Sequence, residues 1–359
     1  MAEKYIVSAR KYRPAVFSNV VGQQAVTDTL INSIKNNTLA QAFLFCGPRG
    51  VGKTTCARIL SKAVNADDIS KLEELSDSDL SVFELDAASN NSVENIRALI
   101  DQVRIPPPAG KKYKVYIIDE VHMLSTSAFN AFLKTLEEPP SYAIFVLATT
   151  EKHKILPTIL SRCQVFDFAR IKNDDIVKHL QDIAAKENIE TEEDALHIIA
   201  QKADGGLRDA LSIFDQMANF GGGKVTYQSV LENLNILDLG AYFDLCDHIF
   251  KGDTAASLLL TDDVLQKGHD GQLYLSGLAQ HLRNLLVAMD PQTQHLLDVS
   301  EGFRPKYYEQ AKNTTALTIF RCLEILSSAD TAYKVSQNQR LHLELTLLRL
   351  CNACIEKKK

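Results

Sequence analysis

The chain has 359 residues, of which 45% are hydrophobic and 23% charged, a balance typical of a folded globular protein with two or three domains. Its formal net charge of −6 argues against a surface that is basic all over and coats DNA without selectivity. No apolar run approaches the roughly 20 residues of a membrane-spanning helix, and no signal-peptide pattern opens the sequence, so we expect a cytoplasmic protein.

Five short apolar runs punctuate the first half of the chain and predict the strands of a buried, mostly parallel sheet. The runs are residues 42–46, 82–86, 115–119, 144–148 and 164–168. Between the third and fourth runs, Phe129, Phe132 and Leu136 recur at the spacing of one helix face. This alternation of strands and helices predicts an α/β layer architecture.

A complete phosphate-binding pattern, GxxxxGK[ST], lies between the first run and a helical pattern that opens at Thr55. It consists of Gly47, Pro48, Arg49, Gly50, Val51, Gly52, Lys53 and Thr54, and we expect Thr55, which follows directly, to bind the nucleotide with them. Glycines let backbone N–H groups approach phosphate oxygens, and the helix N-terminus adds partial positive charge. We therefore predict that Lys53 neutralises the β and γ phosphates and that Thr54 ligates Mg²⁺.

The third apolar run ends in two carboxylates, Asp119 and Glu120. Carboxylates at the end of a buried strand are costly unless something cationic meets them. Asp119 can complete the Mg²⁺ shell, and Glu120 can orient or deprotonate the attacking water. An ordinary helix N-cap is the alternative, but beside a complete phosphate-binding loop the pair favours a nucleoside triphosphatase.

Strand signals stop after about Arg170, and helical patterns continue to Ile355. The acidic start at residues 173–175 predicts a helix N-terminus, and the glycines at 205–206 and 221–223 interrupt the helical patterns. We predict three domains: an α/β domain (1–170), a small helical domain (171–236) and a larger helical domain (237–359).

Further segments carry a family signature. They are Tyr12, Arg13 and Pro14 with Val20 and Val21, then residues 85–91, 119–122, 132–140, 160–163 and 206–212. Together with the phosphate-binding loop they make residues 4–352 resemble the gamma/tau subunits of bacterial DNA polymerase III, the AAA+ motors of the replicative clamp loader. Residues 132–140 (FLKTLEEPP) and 160–163 (LSRC) are the most specific matches.

The resemblance implies roles for individual residues. It implies an adenine-side box of Tyr12, Arg13, Pro14, Val20 and Val21, sensor 1 at Thr149 and Thr150, and sensor 2 at Arg208. It also implies that Arg162 is an arginine finger that acts on the ATP of a neighbouring subunit, where a planar, permanently charged guanidinium suits transition-state charge. The alternative for each arginine is an ordinary surface salt bridge.

The resemblance also implies an architecture. The sheet is expected in the AAA+ strand order 5-1-4-3-2, followed by a helical lid and an all-α collar. The collar would hold a pentameric ring of delta, delta prime and further gamma/tau copies, which opens the sliding clamp and grips primer–template DNA by its backbone. ATP and Mg²⁺ are the implied cofactors.

Candidates for DNA contact are Asn90 and Asn91, ahead of a helical pattern, and the lysines Lys111, Lys112 and Lys114. A helix N-cap and a solvated loop explain these residues equally well, and both readings stay open.

Gamma/tau subunits usually carry a four-cysteine zinc module before the second strand. The corresponding residues 65–81 contain no cysteine and several acids, Asp67, Asp68, Glu73 and Glu74 among them, so we predict no zinc there. The seven cysteines are scattered, which predicts buried free thiols, and the lone CxxC of Cys351 and Cys354 lacks a second ligand pair.

Three other functions remain alternatives. A non-catalytic clamp-loader stator would lend only its arginine, yet the complete loop and acid pair disfavour it. Another AAA+ DNA-processing ATPase is disfavoured by the FLKTLEEPP and LSRC segments, and a chaperone by the lack of an evident aromatic pore loop. Longer gamma/tau proteins continue into a tail that contacts the polymerase and helicase, and we assign no such contacts to this chain.

Overall fold

The computed structural model of the chain describes residues 6–66, 72 and 80–355. It divides into two compact units: the first runs to Glu187 and includes Ile199–Gln216, and the second contains Asn188–Ile198 and continues from Met217. The division into three domains at 170 and 236 is a different partition and stays a prediction.

The first unit is an α/β layered domain. Its strands are β1 (Ala42–Cys46), β2 (Val82–Asp86), β3 (Lys114–Asp119), β4 (Ala143–Thr149) and β5 (Gln164–Asp167). Its helices are α1 (Ser8–Lys11), α2 (Gln24–Lys35), α3 (Lys53–Ala63), α4 (Val93–Val103), α5 (Thr126–Glu137), α6 (Pro157–Leu160) and α7 (Asn173–Glu187). Two helices, α8 (Glu193–Lys202) and α9 (Leu207–Phe220), each have residues in both units.

All five strands are parallel and lie in the order β2-β3-β4-β1-β5. This is the predicted order 5-1-4-3-2 read from the other edge, so the predicted fold class is confirmed. Strands β1 and β4 are buried along their whole length, whereas the edge strands β2 and β5 are partly exposed. Continuous apolar runs are typical of the central strands of a parallel sheet, which helices cover on both faces.

Alternate residues of the central strands point to opposite faces of the sheet, and each face has its own core. On one face, Phe43 and Ile117 belong to a cluster with Leu60 of α3. On the other face, Leu44 and Ile118 belong to a cluster with residues of α4 and α5, Phe132 among them. Burying a large apolar side chain contributes about 1.5–3 kcal/mol, so the two cores dominate the stability of this unit.

The carboxyl ends of β1, β3 and β4 lie side by side at one edge of the sheet. Cys46, the last residue of β1, is paired with Thr149, the last residue of β4, and Ile118 is paired with Leu147. The segments that follow these three strands therefore meet at one place, which is where open α/β sheets bind their ligands.

The second unit is helical. From Met217 onward its helices are α10 (Tyr227–Leu234), α11 (Leu239–Lys251), α12 (Thr254–Gln266), α13 (Gly271–Met289), α14 (Arg304–Ala311), α15 (Ala316–Tyr333) and α16 (Gln339–Ile355). It also contains a parallel ladder of two short strands, β6 (Glu190–Thr191) and β7 (Lys224–Val225), which the sequence did not predict. Among the described residues, no helix has the length and apolar character needed to cross a membrane.

A chain of hydrogen bonds lies buried among these helices. The Tyr307 hydroxyl is 3.0 Å from Nδ1 of His281, and His281 Nε2 is 2.9 Å from Oε1 of Gln310. The Gln310 amide nitrogen donates to the Phe243 carbonyl at 2.7 Å and to Asp247 Oδ1 at 2.8 Å. This pattern fixes a neutral imidazole with its proton on Nε2, and burial lowers the pKa of His281 to about 4.

Candidate nucleotide-binding site

The loop between β1 and α3 has a backbone that depends on glycine. Gly47 has φ +150°, and a Cβ at this position would collide with the carbonyl oxygen of Phe168. Gly52 has φ +104° and caps α3 without any side-chain hydrogen bond. The first N–H groups of α3 consequently have no side-chain cap, which is the arrangement that binds phosphate at a helix N-terminus.

Lys53 begins α3 and points back into the loop. Its side chain is buried, and Nζ donates hydrogen bonds of 2.7 Å each to the carbonyls of Gly47 and Pro48. Burial lowers the pKa of Lys53, whereas the carboxylates of Glu120 and Asp119 oppose that shift. The ammonium therefore lies within the loop and near both acids, where an anionic ligand can replace its carbonyl partners.

Thr54 and Asp119 come from different elements and meet directly. The Thr54 hydroxyl donates to Oδ2 of Asp119 at 2.6 Å, and Asp119 Oδ1 accepts from the Glu120 amide at 2.9 Å. A hydroxyl and a carboxylate oxygen are the hard ligands that Mg²⁺ prefers when it also holds substrate phosphates and water. Their side chains thus fit a magnesium ion beside the loop, and these are the two residues predicted to hold it.

Glu120 has an unusual backbone for a residue other than glycine, with φ 47° and ψ 45°. Its Oε2 accepts from the Thr150 hydroxyl at 3.1 Å and from the Thr150 amide at 3.3 Å. A left-handed residue of this kind costs about 1 kcal/mol or more and is concentrated at functional sites. The turn after β3 thus directs the carboxylate of Glu120 toward the end of β4.

The two threonines of predicted sensor 1 lie in different surroundings. Thr149 is fully buried, and its hydroxyl accepts from the Glu151 amide at 3.0 Å and lies 3.1 Å from Nδ1 of His122. Thr150 contacts the carboxylate of Glu120 directly. Thr150 therefore lies beside the predicted base, and Thr149 supports the residues behind it.

Arg208 and the N-terminal box approach the same loop. The Arg208 amide is 3.4 Å from the Gly50 carbonyl, and Val20 is buried against the loop at Gly52. Partial desolvation lowers the pKa of Arg13, and the positive charges of Arg58 and Arg208 add to that shift. A polyanion is the ligand that such a group of guanidinium ions favours.

The remaining predicted residues occupy varied positions in the first unit. The Tyr12 hydroxyl donates to the carboxylate of Glu187 at the end of α7, which fixes the segment around Tyr12 against that helix. Val51 is buried and Arg49 is exposed, whereas Pro14, Val21, Pro48 and Thr55 are half-buried.

Arg162, the predicted arginine finger, lies on the surface directly after α6. Nη1 donates to the Thr158 carbonyl at 2.7 Å, and Nη2 donates to Oε1 of Glu137 at 2.8 Å. A third of its side chain is exposed, 33% against 48% for Glu137. Its partners within the described residues, Thr158, Ser161 and Glu137, all lie on its own surface.

The candidate DNA residues have a mixed outcome. Lys114 is buried at the start of β3, where Nζ donates to the carbonyls of Gln102 and Ile105, so its proposed role as a surface charge was wrong. Ser92 caps α4 by accepting from the Asn95 amide at 3.3 Å. Asn91 is exposed directly before that helix and stays a candidate.

Sequence reasoning assigned no role to His122 or Glu151, although both lie behind the predicted base. In the sequence, His122 stood out only as the last residue of the family segment 119–122. The acids Asp67, Asp68, Glu73 and Glu74 lie outside the described residues, and the absence of zinc stays a prediction. Five of the seven cysteines are buried, and burial raises the pKa of Cys46 to about 11.

The sheet order, the phosphate-binding loop after β1 and the acid pair after β3 define a P-loop NTPase of the AAA+ class. Three family models match consecutive parts of the chain: DNA polymerase III, delta subunit, at residues 22–172; the ATPase lid domain of the DNA polymerase III clamp loader subunit at 175–223; and domain III of DNA polymerase III subunits gamma and tau at 225–358.

The chain belongs to the gamma and tau family of DNA polymerase III clamp-loader subunits. It is 34% identical over 359 residues to DNA polymerase III subunit gamma of Buchnera aphidicola, covering 97% of this chain and 99% of that protein. It is 38% identical to subunit tau of Bacillus subtilis, covering 95% of this chain and 62% of that protein, and 35% identical to subunit tau of Escherichia coli, covering 96% and 55%.

The chain thus spans between half and two thirds of the two tau relatives. Among solved structures, the RuvB Holliday junction branch migration motor of Thermotoga maritima aligns with a TM-score of 0.49 and 19% identity, covering 66% of this chain and 79% of that one.

Proposed function

We propose that the chain is the ATP-hydrolysing motor subunit of the replicative clamp loader, which opens the sliding clamp and loads it onto primed DNA within the DNA polymerase III holoenzyme. The observation that carries the proposal is the 2.6 Å contact between Thr54 and Asp119, with the buried Lys53 ammonium beside them. These three groups supply the charge and the ligands that a magnesium-bound triphosphate needs.

Substrate binding rests on the loop and on the first turn of α3. The uncapped N–H groups at Gly52 and the helix dipole would hold the β-phosphate, and Lys53 would exchange its two carbonyl partners for β and γ oxygens. Thr54 and Asp119 would hold Mg²⁺, which neutralises phosphate charge and orients the γ-phosphoryl group.

Hydrolysis rests on Glu120 and Thr150. The carboxylate of Glu120 would orient the attacking water and accept its proton, while the Thr150 N–H and O–H groups fix one carboxylate oxygen. Arg208 would reach the γ-phosphate from α9, which ties the position of that helix to the presence of ATP. Together, these residues make up the part of the ATPase site that one subunit would supply.

The remaining positive charge at the ATP would come from the guanidinium of a neighbouring subunit. Arg162 would leave Glu137 and reach the ATP of the adjacent subunit, and a finger of this kind accelerates hydrolysis by about 10³–10⁵. Turnover then requires an assembled ring, which we propose contains delta, delta prime and further gamma/tau copies. We propose that this assembly acts in the cytoplasm, with primer–template DNA held by its backbone.

The alternative is a stator that contributes Arg162 but hydrolyses nothing, or another AAA+ DNA-processing ATPase. The intact Lys53, Thr54 and Asp119 favour a motor over a stator, and domain III at residues 225–358 favours a clamp loader over other motors.

ATP hydrolysis should be measured with the chain alone, with its partner subunits, and with clamp and primed DNA added in turn. The proposal predicts binding of ATP by the chain alone, little turnover, and strong stimulation only when ring, clamp and DNA are all present. Equal turnover with and without clamp and DNA would support a different AAA+ motor, and an inability to bind ATP would support a stator.

A further inference from the structure

A line of side-chain contacts leads from Glu120, behind the nucleotide site, to the surface. Oε2 of Glu120 lies 3.4 Å from Nδ1 of His122, and Nε2 of His122 lies 3.2 Å from Oε1 of Glu151. Glu151 in turn pairs with Nζ of Lys154 at 2.8 Å on the exposed segment after β4. The imidazole of His122 thus lies between two carboxylates, Glu120 after β3 and Glu151 after β4.

In this line of contacts, the imidazole of His122 is buried, whereas the carboxylates of Glu120 and Glu151 are half-exposed. The His122 side chain is 6% exposed, against 31% for Glu120 and 34% for Glu151. Because a carboxylate only accepts hydrogen bonds, a ring that holds both Glu120 and Glu151 needs a proton on each of its nitrogens. Nδ1 also lies 3.1 Å from the Thr149 hydroxyl, which shares that side of the ring with Glu120. Glu151 therefore fixes the orientation of the ring, as an acceptor behind a catalytic histidine commonly does.

The contacts on Glu120 fall on one of its two oxygens. Within the described residues, the Thr150 amide, the Thr150 hydroxyl and His122 Nδ1 all lie within 3.4 Å of Oε2. In the proposed mechanism, the other oxygen, Oε1, is left for the attacking water. A misplacement of about 1 Å at such a group can cost ~10²-fold in rate, so the residues that hold Oε2 matter for turnover.

The outer end of this line of contacts adds little to stability. The Glu151–Lys154 pair is exposed, and water screens exposed ion pairs. The Lys154 ammonium lowers the pKa of Glu151, so Glu151 is a carboxylate at neutral pH. Lys152, two residues earlier, pairs with Asp167 on β5 and not with Glu151.

We propose that His122 is a positioning residue for ATP hydrolysis, which holds Oε2 of Glu120 and is itself oriented by Glu151. The inference rests on the proposed function, because it needs Glu120 to be the base. His122 does not touch the substrate in this account, and it acts only through Glu120. An ordinary buried histidine, required for folding alone, is the competing explanation.

The test uses the assembled clamp loader with clamp and primed DNA, and compares wild type with H122N, E151Q, E120Q and the double variant H122N/E120Q. Asparagine is too short to reach Glu151, and E151Q removes the charge while keeping the shape. D167N is the matched control, because Asp167 is an exposed acid that pairs with the same surface segment through Lys152. ATP affinity, single-turnover hydrolysis and thermal unfolding are measured for each.

H122N should lower the hydrolysis rate by about 10–100-fold with an ATP dissociation constant within about twofold of wild type. E151Q should lower the rate by a smaller factor, and D167N should keep the wild-type rate. In the E120Q background, H122N should lower the rate by less than about twofold, because residues that act as a unit are not additive.

A wild-type rate in H122N or E151Q, or a further full loss of rate in H122N/E120Q, would overturn the inference while leaving the proposed function intact. E151Q decides the question independently of H122N, because a third-exposed side chain can lose its charge without disturbing the core. A wild-type assembly that fails to hydrolyse ATP overturns the proposed function, and this inference with it.

Discussion

Arg162 donates a hydrogen bond through Nη2 to Oε1 of Glu137 across 2.8 Å, at the surface of its own subunit. The pair is solvent-exposed, so it contributes about 0–1 kcal/mol to folding. In the proposed mechanism it is also a contact that Arg162 must break before it reaches the neighbouring ATP. The interaction therefore opposes catalysis slightly rather than assisting it.

Glu137→Gln should leave the unfolding temperature nearly unchanged and leave turnover in the assembly equal to wild type or up to about fivefold higher, since 1 kcal/mol corresponds to that factor. Thermal unfolding and steady-state ATP hydrolysis check both parts. Glu138→Gln is the matched control, because Glu138 is an exposed acid at the next position. A loss of turnover as large as that of Arg162→Ala would mean that Glu137 takes part in the reaction.

The Thr54 hydroxyl should matter for nucleotide binding only when magnesium is present. Thr54→Val removes a ligand oxygen and the donor to Asp119 while keeping the side-chain volume. We expect the affinity for ATP to fall about 10–100-fold with magnesium and to change by less than about threefold in EDTA, as for the loss of one charged hydrogen bond.

Equilibrium binding of ATP with and without magnesium measures this difference. Thr29→Val is the control, because Thr29 is exposed on α2, where its hydroxyl donates to the Ala25 carbonyl at 2.7 Å. Equal losses with and without magnesium would show that Thr54 supports the fold of the loop instead of the metal.

The buried His281 predicts a pH dependence of stability in the helical unit. Its folded-state pKa is about 4, and an unfolded imidazole titrates near 6.5. Between these values the unfolded chain binds more protons than the folded chain, so stability is complete above pH 6.5 and falls as the pH drops toward 4. The loss amounts to about 3 kcal/mol at the bottom of this window.

Urea unfolding of His281→Gln and wild type between pH 7 and pH 4.5 tests this expectation. Glutamine does not titrate, so the variant should show a flatter dependence across the window, at the cost of lower stability at pH 7. His295→Gln is the control, because His295 is exposed. Because wild type and His281→Gln share all other histidines, the difference between their slopes isolates His281, and identical slopes would contradict this expectation.

Asn90 and Asn91 remain candidates for contact with the DNA backbone. The Asn90 side chain already donates to the Asp86 carbonyl at 3.1 Å, whereas Asn91 is exposed at the start of α4. We expect Asn91→Ala to lower the affinity for DNA, read from the stimulation of ATPase activity, by about 5–10-fold, the effect of losing one hydrogen bond. Asn90→Ala should lower the affinity for DNA by a smaller factor.

DNA titrations of ATPase activity, with basal ATP binding measured in parallel, check this prediction. Asn36→Ala supplies an exposed asparagine at the end of α2 as the control. Unchanged stimulation in Asn91→Ala would remove this position from the DNA surface.

The sheet and the nucleotide loop could be predicted from sequence because their signals are local. Central strands such as β4 are apolar along their whole length, and the loop between Gly47 and Thr54 is a contiguous pattern. The start of β3 was harder to predict, because its first residue is a buried lysine, Lys114, where the pattern called for an apolar residue. The ladder of β6 and β7 was missed, since two residues are too few to form an alternating pattern.

The surroundings of the predicted base could not be read from sequence in the same way. The contacts of Glu120 with Thr150 and of His122 with Glu151 join residues that lie about thirty positions apart. No spacing rule links them, because they meet only through the pairing of β3 with β4. Likewise, the partner of Arg162 on α5 depends on how two surface turns pack, which has no signature in the sequence.

In the proposed mechanism, one subunit binds ATP through Lys53 while the guanidinium of Arg162 completes the site of its neighbour. The most direct test measures ATP binding and turnover in rings whose gamma/tau copies carry either Lys53→Ala or Arg162→Ala. The proposed mechanism predicts that Lys53→Ala loses ATP binding, whereas Arg162→Ala binds ATP with nearly wild-type affinity and loses turnover by about 10³-fold or more. Wild-type turnover in Arg162→Ala, or undiminished ATP binding in Lys53→Ala, would contradict it.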